Sequence, residues 1–323
     1  MTNRRSPTDP APVAVELADH AVVLSRSAAE LQVGLDPQRA LVFARDYRPV
    51  LLRLQTPTTR AGLLSAGRAA GLTVGEVTIA VRRLGQAGLL RPGAAGRPGR
   101  AGRRVRLLGA GPVGLLLARY LAEGGVGELA VYDPRPPDPD LYPGAATFPD
   151  QSAALAATVG ARRVRIVSLD HWSKPETLTV DLTVVVAEGP EVDRVITDHL
   201  LRADQPHLLV RSLGDAVWVG PLVLPGRTPC VRCTDLTRTD ADPDWPMVLA
   251  QLGRLRLKLP ALLTGWAASV AAAQVLAFLD GSRPEATGAT LELTAADLRT
   301  ELRSWPNHAE CGCRWQASTE WGT

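Results

Sequence analysis

The sequence predicts an α/β protein: a Rossmann-like domain with a mostly parallel sheet, preceded by a small winged helix-turn-helix domain. Three observations carry this. Residues 105–133, VRLLGAGPVGLLLARYLAEGGVGELAVYD, run strand, glycine turn, helix, strand and acid, the order of a nucleotide-binding βαβ unit. Downstream, apolar runs alternate with helical patterns as far as residue 224, which calls for parallel strands joined by crossovers. Upstream, three short strand patterns precede three helical ones. The 323 residues, 46% of them hydrophobic, suffice for one large and one small domain. Aromatics are only 4%, so aliphatic side chains and alanine must fill the core.

Residues 1–19 open as MTNRRSPTDPAP, polar and without an apolar signal segment. They are expected to form a disordered tail, and the protein to be cytoplasmic. The small domain is assigned to residues 20–92. Residues 20–25, 30–34 and 40–43 have strand character, with a turn at Asp36-Pro37. A short helix is expected over residues 49–54. A second follows the caps Thr58 and Thr59, with Leu63, Leu64 and Ala69 on its apolar face. The third starts at Thr73 with Glu76 three residues on, a capping box. Its pattern turns Val77, Ile79, Ala80, Val81 and Leu84 inward and Arg82 and Arg83 outward.

Charge is unevenly spread. The chain has a net charge of +3, but residues 1–104 hold 16 Arg against 7 Asp and Glu, leaving the remainder acidic. A basic winged helix can contact DNA phosphates. It can also capture an extended peptide on an exposed strand edge beside its third helix, and the arginines could equally be a solvated face. Charge alone does not choose among these. Residues 93–104, rich in Pro, Gly and Arg, are expected to be a linker.

In the βαβ unit, Gly109 permits the tight turn, Gly111 lets backbone N–H groups approach a phosphate at a helix N-terminus, and Gly114 lets helix and strand pack closely. Asp133 stands where ribose hydroxyls would be accepted. The same glycines would also serve packing alone in a unit that has lost its ligand. The Pro-rich loop over residues 134–149 lies outside the strand ends, where a ligand would sit. Further strands are expected at residues 165–168, 183–187, 207–212 and 216–224, the last two joined as a hairpin at Gly214-Asp215. Helices are expected at residues 151–159 and 191–203. The stretch Ala261–Leu279 is long enough to span a membrane, but it is Ala-rich, holds Thr, Ser and Gln, and lacks basic flanks; a core or dimer-interface helix is expected instead. The four cysteines form C-x-x-C at Cys230 and Cys233 and C-x-C at Cys311 and Cys313. Such spacing favours a closed, structural Cys₄ zinc site over disulfides or a redox pair. His308 is expected to be a surface residue.

A glycine-rich βαβ unit ending in Asp, then C-x-x-C, a long Ala-rich helix and a last cysteine pair resemble the ThiF/MoeB family, related to ubiquitin-activating enzymes. The resemblance covers about residues 105–315. Its typical members adenylate a C-terminal carboxylate with ATP and Mg²⁺. The segments LQVGLDPQRALVF and CVRCTDLTRTDADPDWPMVLAQL are similar to the leader-peptide-binding subgroup that partners YcaO cyclodehydratases, in which adenylation is lost. Gly109, Gly111, Gly114 and Asp133 match the nucleotide positions. The departures are basic groups. No arginine follows the acid in the expected Asn-Leu-x-Arg-Gln pattern, the helix over residues 151–159 has no lysine, and Glu188 stands in for the aspartate that would hold Mg²⁺. Arg135 and Lys174 lie nearby but off the pattern. Transferring an adenylyl group needs positioned cations. No spare cysteine remains for a thioester.

The resemblance therefore implies a non-catalytic, zinc-stapled scaffold that binds a precursor leader and presents it to a YcaO-type enzyme. Leu41, Val42, Phe43, Val77, Arg82 and Arg83 are expected to line the peptide groove, and family members commonly pair as homodimers. Neither nucleic acid nor a membrane is the expected partner. The competing expectation is an ATP-dependent adenylyltransferase of a peptide carboxyl terminus, with Asp133 on ribose and Glu188 on Mg²⁺.

Overall fold

The computed structural model describes residues 14–18, 20–92, 99–160, 164–173 and 179–314, in two compact units, Met1–Pro98 and Gly99–Thr323. In the first, β1 (Val15–Leu17) is followed by β2 (Val23–Ser25), β3 (Glu30–Val33) and β4 (Leu41–Ala44), then α1 (Arg48–Arg53), α2 (Arg60–Ala69), α3 (Val74–Gln86) and β5 (Leu90–Pro92). Strands β2, β3 and β4 form an antiparallel sheet in that order, and β1 pairs with β5. The expectation of a tail to residue 19 is thus corrected. Val15–Leu17 alternates, buries Leu17, and pairs it opposite Leu90; residues 1–13 lie outside the described residues. The capping box forms as expected: Glu76 N–H donates to Thr73 Oγ1, and Thr73 N–H donates to Glu76. One helix assignment is corrected. Val77, Ala80 and Leu84 are buried, but Ile79 is 48% exposed, because the core takes one stripe of α3 and residue 79 falls off it.

The second unit holds an eight-stranded sheet built from β6 (Arg104–Leu108), β7 (Glu128–Tyr132), β8 (Arg165–Ser168), β9 (Leu182–Val186), β10 (His207–Ser212), β11 (Ala216–Val223), β12 (Ala289–Thr294) and β13 (Thr300–Ser304). The spatial order is β13-β12-β11-β10-β9-β6-β7-β8. Strands β8 through β10 are parallel; β11, β12 and β13 extend the sheet antiparallel. The helices are α4 (Pro112–Glu123), α5 (Gln151–Val159), α6 (Arg194–Arg202), α7 (Val231–Ala241), α8 (Trp245–Leu252) and α9 (Ala261–Leu279). Every residue of β9 is buried, as its unbroken apolar run requires of a central parallel strand. Helix α9 alone among the described residues is long and apolar enough to cross a membrane. Here Leu263, Ala267, Ala271 and Val275 join the core of the α/β unit.

The end of the expected linker is also corrected. Residues 99–104 belong to the α/β unit, because their arginines are spent on fixed partners. Arg100 forks onto Asp280 and donates to the Gly124 carbonyl, and Arg103 pairs with Asp181 at 2.7 Å. Residues 93–98 lie outside the described residues.

Candidate functional site

The sheet reverses its winding between β6 and β9, and open α/β sheets bind ligands in the crevice at such a point. Gly109 ends β6 at φ +109°, and a side chain there would overlap the Val186 carbonyl of β9. A side chain at Gly114 would overlap the Gly109 carbonyl, so α4 sits directly on the turn. Gly111 caps α4, and the atom it leaves room for belongs to the Glu188 carboxylate. The glycines therefore do what their spacing requires, but the space beside Gly111 is given to a side chain of the protein itself.

That side chain is half of a clamp. Arg135 donates from Nε to Asp133 Oδ1 at 2.8 Å and from Nη2 to Asp133 Oδ2 at 2.5 Å. The same guanidinium reaches Glu188, with Nη2 at 3.0 Å from Oε1 and Nη1 bonded to Oε2. Its hydrogen bonds to Asp133 hold the guanidinium charged more firmly than a free arginine. Asp133 is buried and also accepts from the Ala110 N–H at 2.7 Å, while its own N–H donates to Ser152 Oγ at the start of α5. The two carboxylates expected to take ribose and Mg²⁺ are thus brought together, and both are bound by an internal cation. The sequence marks Arg135 as a nearby cation off the motif's own arginine position, and does not show that it is bound to the two acids. The signal was present in the tripeptide Asp133-Pro134-Arg135, which returns a long cation to the acid. Lys174 lies outside the described residues. The Pro-rich loop adds Tyr142, fully buried, whose hydroxyl donates to the Ala110 carbonyl. The cavity beside the clamp measures about 260 Å³ and is bounded by Trp172, Val185, Val192 and Ile196 with Asp133, Arg135 and Glu188.

In the cavity wall, the Glu191 carboxylate accepts from Arg211 at 3.2 Å, Arg194 at 2.9 Å and Arg238 at 3.0 Å. Burial alone would push this carboxyl up, but the three guanidiniums, Arg211 foremost, hold it below the usual carboxylate range. Burial in turn lowers Arg211 to about 10.

The four cysteines meet. All four Sγ atoms lie within 4.8 Å of one another, with Cys230 and Cys311 at 3.4 Å and Cys233 and Cys313 at 3.3 Å. A tetrahedron of thiolates around zinc has edges of about 3.8 Å, so the set fits that ion. Cys230 caps α7, and the His308 N–H donates to Cys233 Sγ at 3.5 Å; both features favour thiolate charge. Accepting from the Cys230 thiol lowers Cys233, and the same contact raises Cys230. The His308 side chain pairs with Asp240 rather than with the cluster. A closed Cys₄ set leaves no open position for catalysis.

In the first unit, β4 pairs with β3 alone among the described residues. The Arg45 N–H donates to the Ala29 carbonyl. By the alternation of an antiparallel ladder, Leu41 and Phe43 therefore face β3, while Val42 and Ala44 turn their backbone groups to the open edge. Phe43 is buried beneath the Arg83 guanidinium, 5.4 Å from its ring centroid. Arg82 does not share that groove: it lines a separate cleft with Val77, Val81, Arg60 and Leu64. Neighbouring helix positions diverge by about 100°, so of the three expected groove residues on α3, Val77 and Arg82 line the cleft while Arg83 lies over Phe43 of β4.

No protein-family model matches this chain, and no curated protein does. Its fold is shared with solved structures of Escherichia coli MccB. The ATP complex of MccB superposes with a TM-score of 0.67 at 16% identity, covering 93% of this chain and 99% of that one. The MccB complex with AMPCPP and MccA gives 0.66 with the same identity and coverage. The heterocyclase TruD gives 0.56 at 16% identity, with 94% of this chain matching 43% of TruD.

Proposed function

We propose that this protein is a non-catalytic scaffold that binds the leader of a ribosomal precursor peptide and presents it to a YcaO-type cyclodehydratase. The observation that carries the reading is the Asp133–Arg135–Glu188 clamp. An adenylyltransferase needs cations aimed at the phosphates and carboxylates open to ribose and Mg²⁺. In this cleft the cation nearest those carboxylates, Arg135, is consumed by them, while Arg256 at the rim donates only to the Gly253 and Leu255 carbonyls. The N-terminal unit, read as a winged helix, offers the open β4 edge, to which an extended leader adds as a fourth strand with Phe43, Ile79 and Arg83 alongside. The fold shared with MccB, solved with MccA, and with the heterocyclase TruD supports a role in peptide modification. Zinc held by Cys230, Cys233, Cys311 and Cys313 fastens the C-terminal segment. The setting is cytoplasmic, and two copies pair through α9, whose Leu262 is left exposed.

The second reading, an adenylyltransferase, rests on the same fold, which MccB displays with ATP bound. Calorimetric titration of zinc-loaded protein with ATP·Mg²⁺, followed by exchange of pyrophosphate into ATP in the presence of precursor peptide, separates the two. The scaffold predicts no heat, no exchange and retention of the peptide in a pull-down. Peptide-dependent exchange refutes it and establishes the enzyme.

A further inference from the structure

We propose that the cleft between α2 and α3 is a second peptide-binding surface, which takes a branched aliphatic side chain flanked by acidic residues. This rests on the peptide-binding reading above and adds a site that strand addition at β4 does not use. The cleft measures about 300 Å³. Its floor is Leu63, Leu64, Val77 and Val81, and Arg60 and Arg82 stand at its rim. Leu63 and Val77 are each 2% exposed, so the core fixes the floor. At one end the helices touch, because a side chain at Gly67 would overlap Val77, and the cleft opens away from that contact. The Thr78 hydroxyl is spent on the Val74 carbonyl at 2.8 Å, so the lining offers methyl groups and no unspent donor except the two guanidiniums.

The charge around the cleft has one sign. Helices α2 and α3 carry Arg60, Arg68, Arg82 and Arg83 against a single acid, Glu76. The Glu76 carboxylate is already used on the Thr73 N–H and hydroxyl at 2.7 Å. Among the described residues none of the four arginines forms an ion pair. Unpaired arginines around an aliphatic floor complement an aliphatic side chain between carboxylates. A nucleic-acid backbone would satisfy the arginines but leave the aliphatic floor unfilled. The Arg82 cleft and the Phe43–Arg83 groove lie on different faces of one helix, so a peptide can engage either without the other.

The test uses the full chain with labelled methyl groups. It is titrated with a synthetic peptide that sets two leucines among glutamates, and with the same peptide carrying lysines for glutamates. The acidic peptide should shift the methyl resonances of Leu64, Val77 and Val81, and the lysine peptide should not. R60E with R82E should weaken the binding reported by these three methyls about tenfold, whereas R83E, which belongs to the β4 groove, should leave that response unchanged. All three arginines are exposed, so these variants should fold. Shifts confined to Leu41 and Val42, or equal loss in R83E, overturn the second surface while leaving peptide binding at β4 intact. Duplex DNA that moves the same methyls in place of the peptide overturns it in favour of nucleic acid. Failure of the chain to bind any precursor peptide removes the broader reading as well.

Discussion

Replacing Arg135 by alanine tests whether the cleft at the glycine turn is closed to nucleotide by the protein's own charge. The substitution removes four hydrogen bonds, two to each carboxylate. Asp133 keeps the Ala110 N–H at 2.7 Å and the residue 135 N–H at 3.3 Å, but it remains buried and has lost its counter-ion. Breaking a fully buried pair costs about 3–5 kcal/mol. Arg135 is 37% exposed, and water screens part of the interaction, so we expect a loss of about 1–3 kcal/mol. The variant also leaves two bare carboxylates at the glycine turn, a site that a divalent cation can occupy. Ligand present at a hundred times its dissociation constant returns about 2.7 kcal/mol. R135A should therefore be less stable than the parent in urea without metal, and recover with Mg²⁺ or ATP·Mg²⁺, while the parent responds to neither. R135K, which keeps the charge but loses the fork, should fall between them. The reasoning is refuted if R135A unfolds at the parent's midpoint, or if ATP·Mg²⁺ stabilises the parent as much as the variant.

Other consequences follow from single features. V42P removes an N–H that faces the open edge and spares the β3 ladder; it should leave the melting curve within about 1 kcal/mol of the parent and abolish leader binding in a pull-down. Purified protein should carry one zinc per chain by elemental analysis, with its thiols unreactive toward a thiol reagent until chelation. C233S should lose the metal and melt earlier. His207 is fully buried, and desolvation foremost lowers it to about 4 from an ordinary 6.5, so it folds neutral. The unfolded chain binds its proton first. The stabilisation is whole above pH 6.5 and is lost as pH falls toward 4, about 3 kcal/mol across that window. H207N should flatten this slope in urea titrations; a slope unchanged from the parent assigns it to other groups.

What could be read in the sequence was periodicity and spacing, and both are local. The run Leu182–Val186 announces a buried strand because every residue is apolar. The capping box announces the start of α3 because its two partners are three residues apart. The cysteine pairs are far apart in the chain, but their chemistry is narrow enough that few outcomes fit them. Contacts without a period were hidden. Nothing in the sequence ties Arg135 to Glu188, which is 53 residues away, since the clamp exists only once β7, β6 and β9 stand side by side. Val15–Leu17 looked like tail because its partner, Leu90–Pro92, lies beyond three helices. Ile79 looked internal because it is apolar, although the stripe of α3 had already been filled by Val77, Ala80 and Leu84.

The arrangement behind the clamp holds the shape of the cleft. Helix α7, capped by Cys230, carries Asp235 and Arg238 on the turns that follow. Asp235 takes both arms of Arg194 at 2.7 Å, and Arg194 and Arg238 both reach Glu191, which bounds the cleft. Arg238 lies over the rings of Trp218, Trp245 and Trp305, at 5.5, 4.7 and 5.1 Å. Trp305 is delivered by the segment that runs on to Cys311 and Cys313. A buried carboxylate facing three guanidiniums is stable only while all of them are held in place, because removing one partner leaves an uncompensated buried charge. The cysteine cluster supplies that fixity from one side and the tryptophans from the other. The cleft wall is therefore maintained by contacts that owe nothing to a nucleotide. That is the condition under which Asp133 and Glu188 can be turned over to Arg135 without loss of the fold.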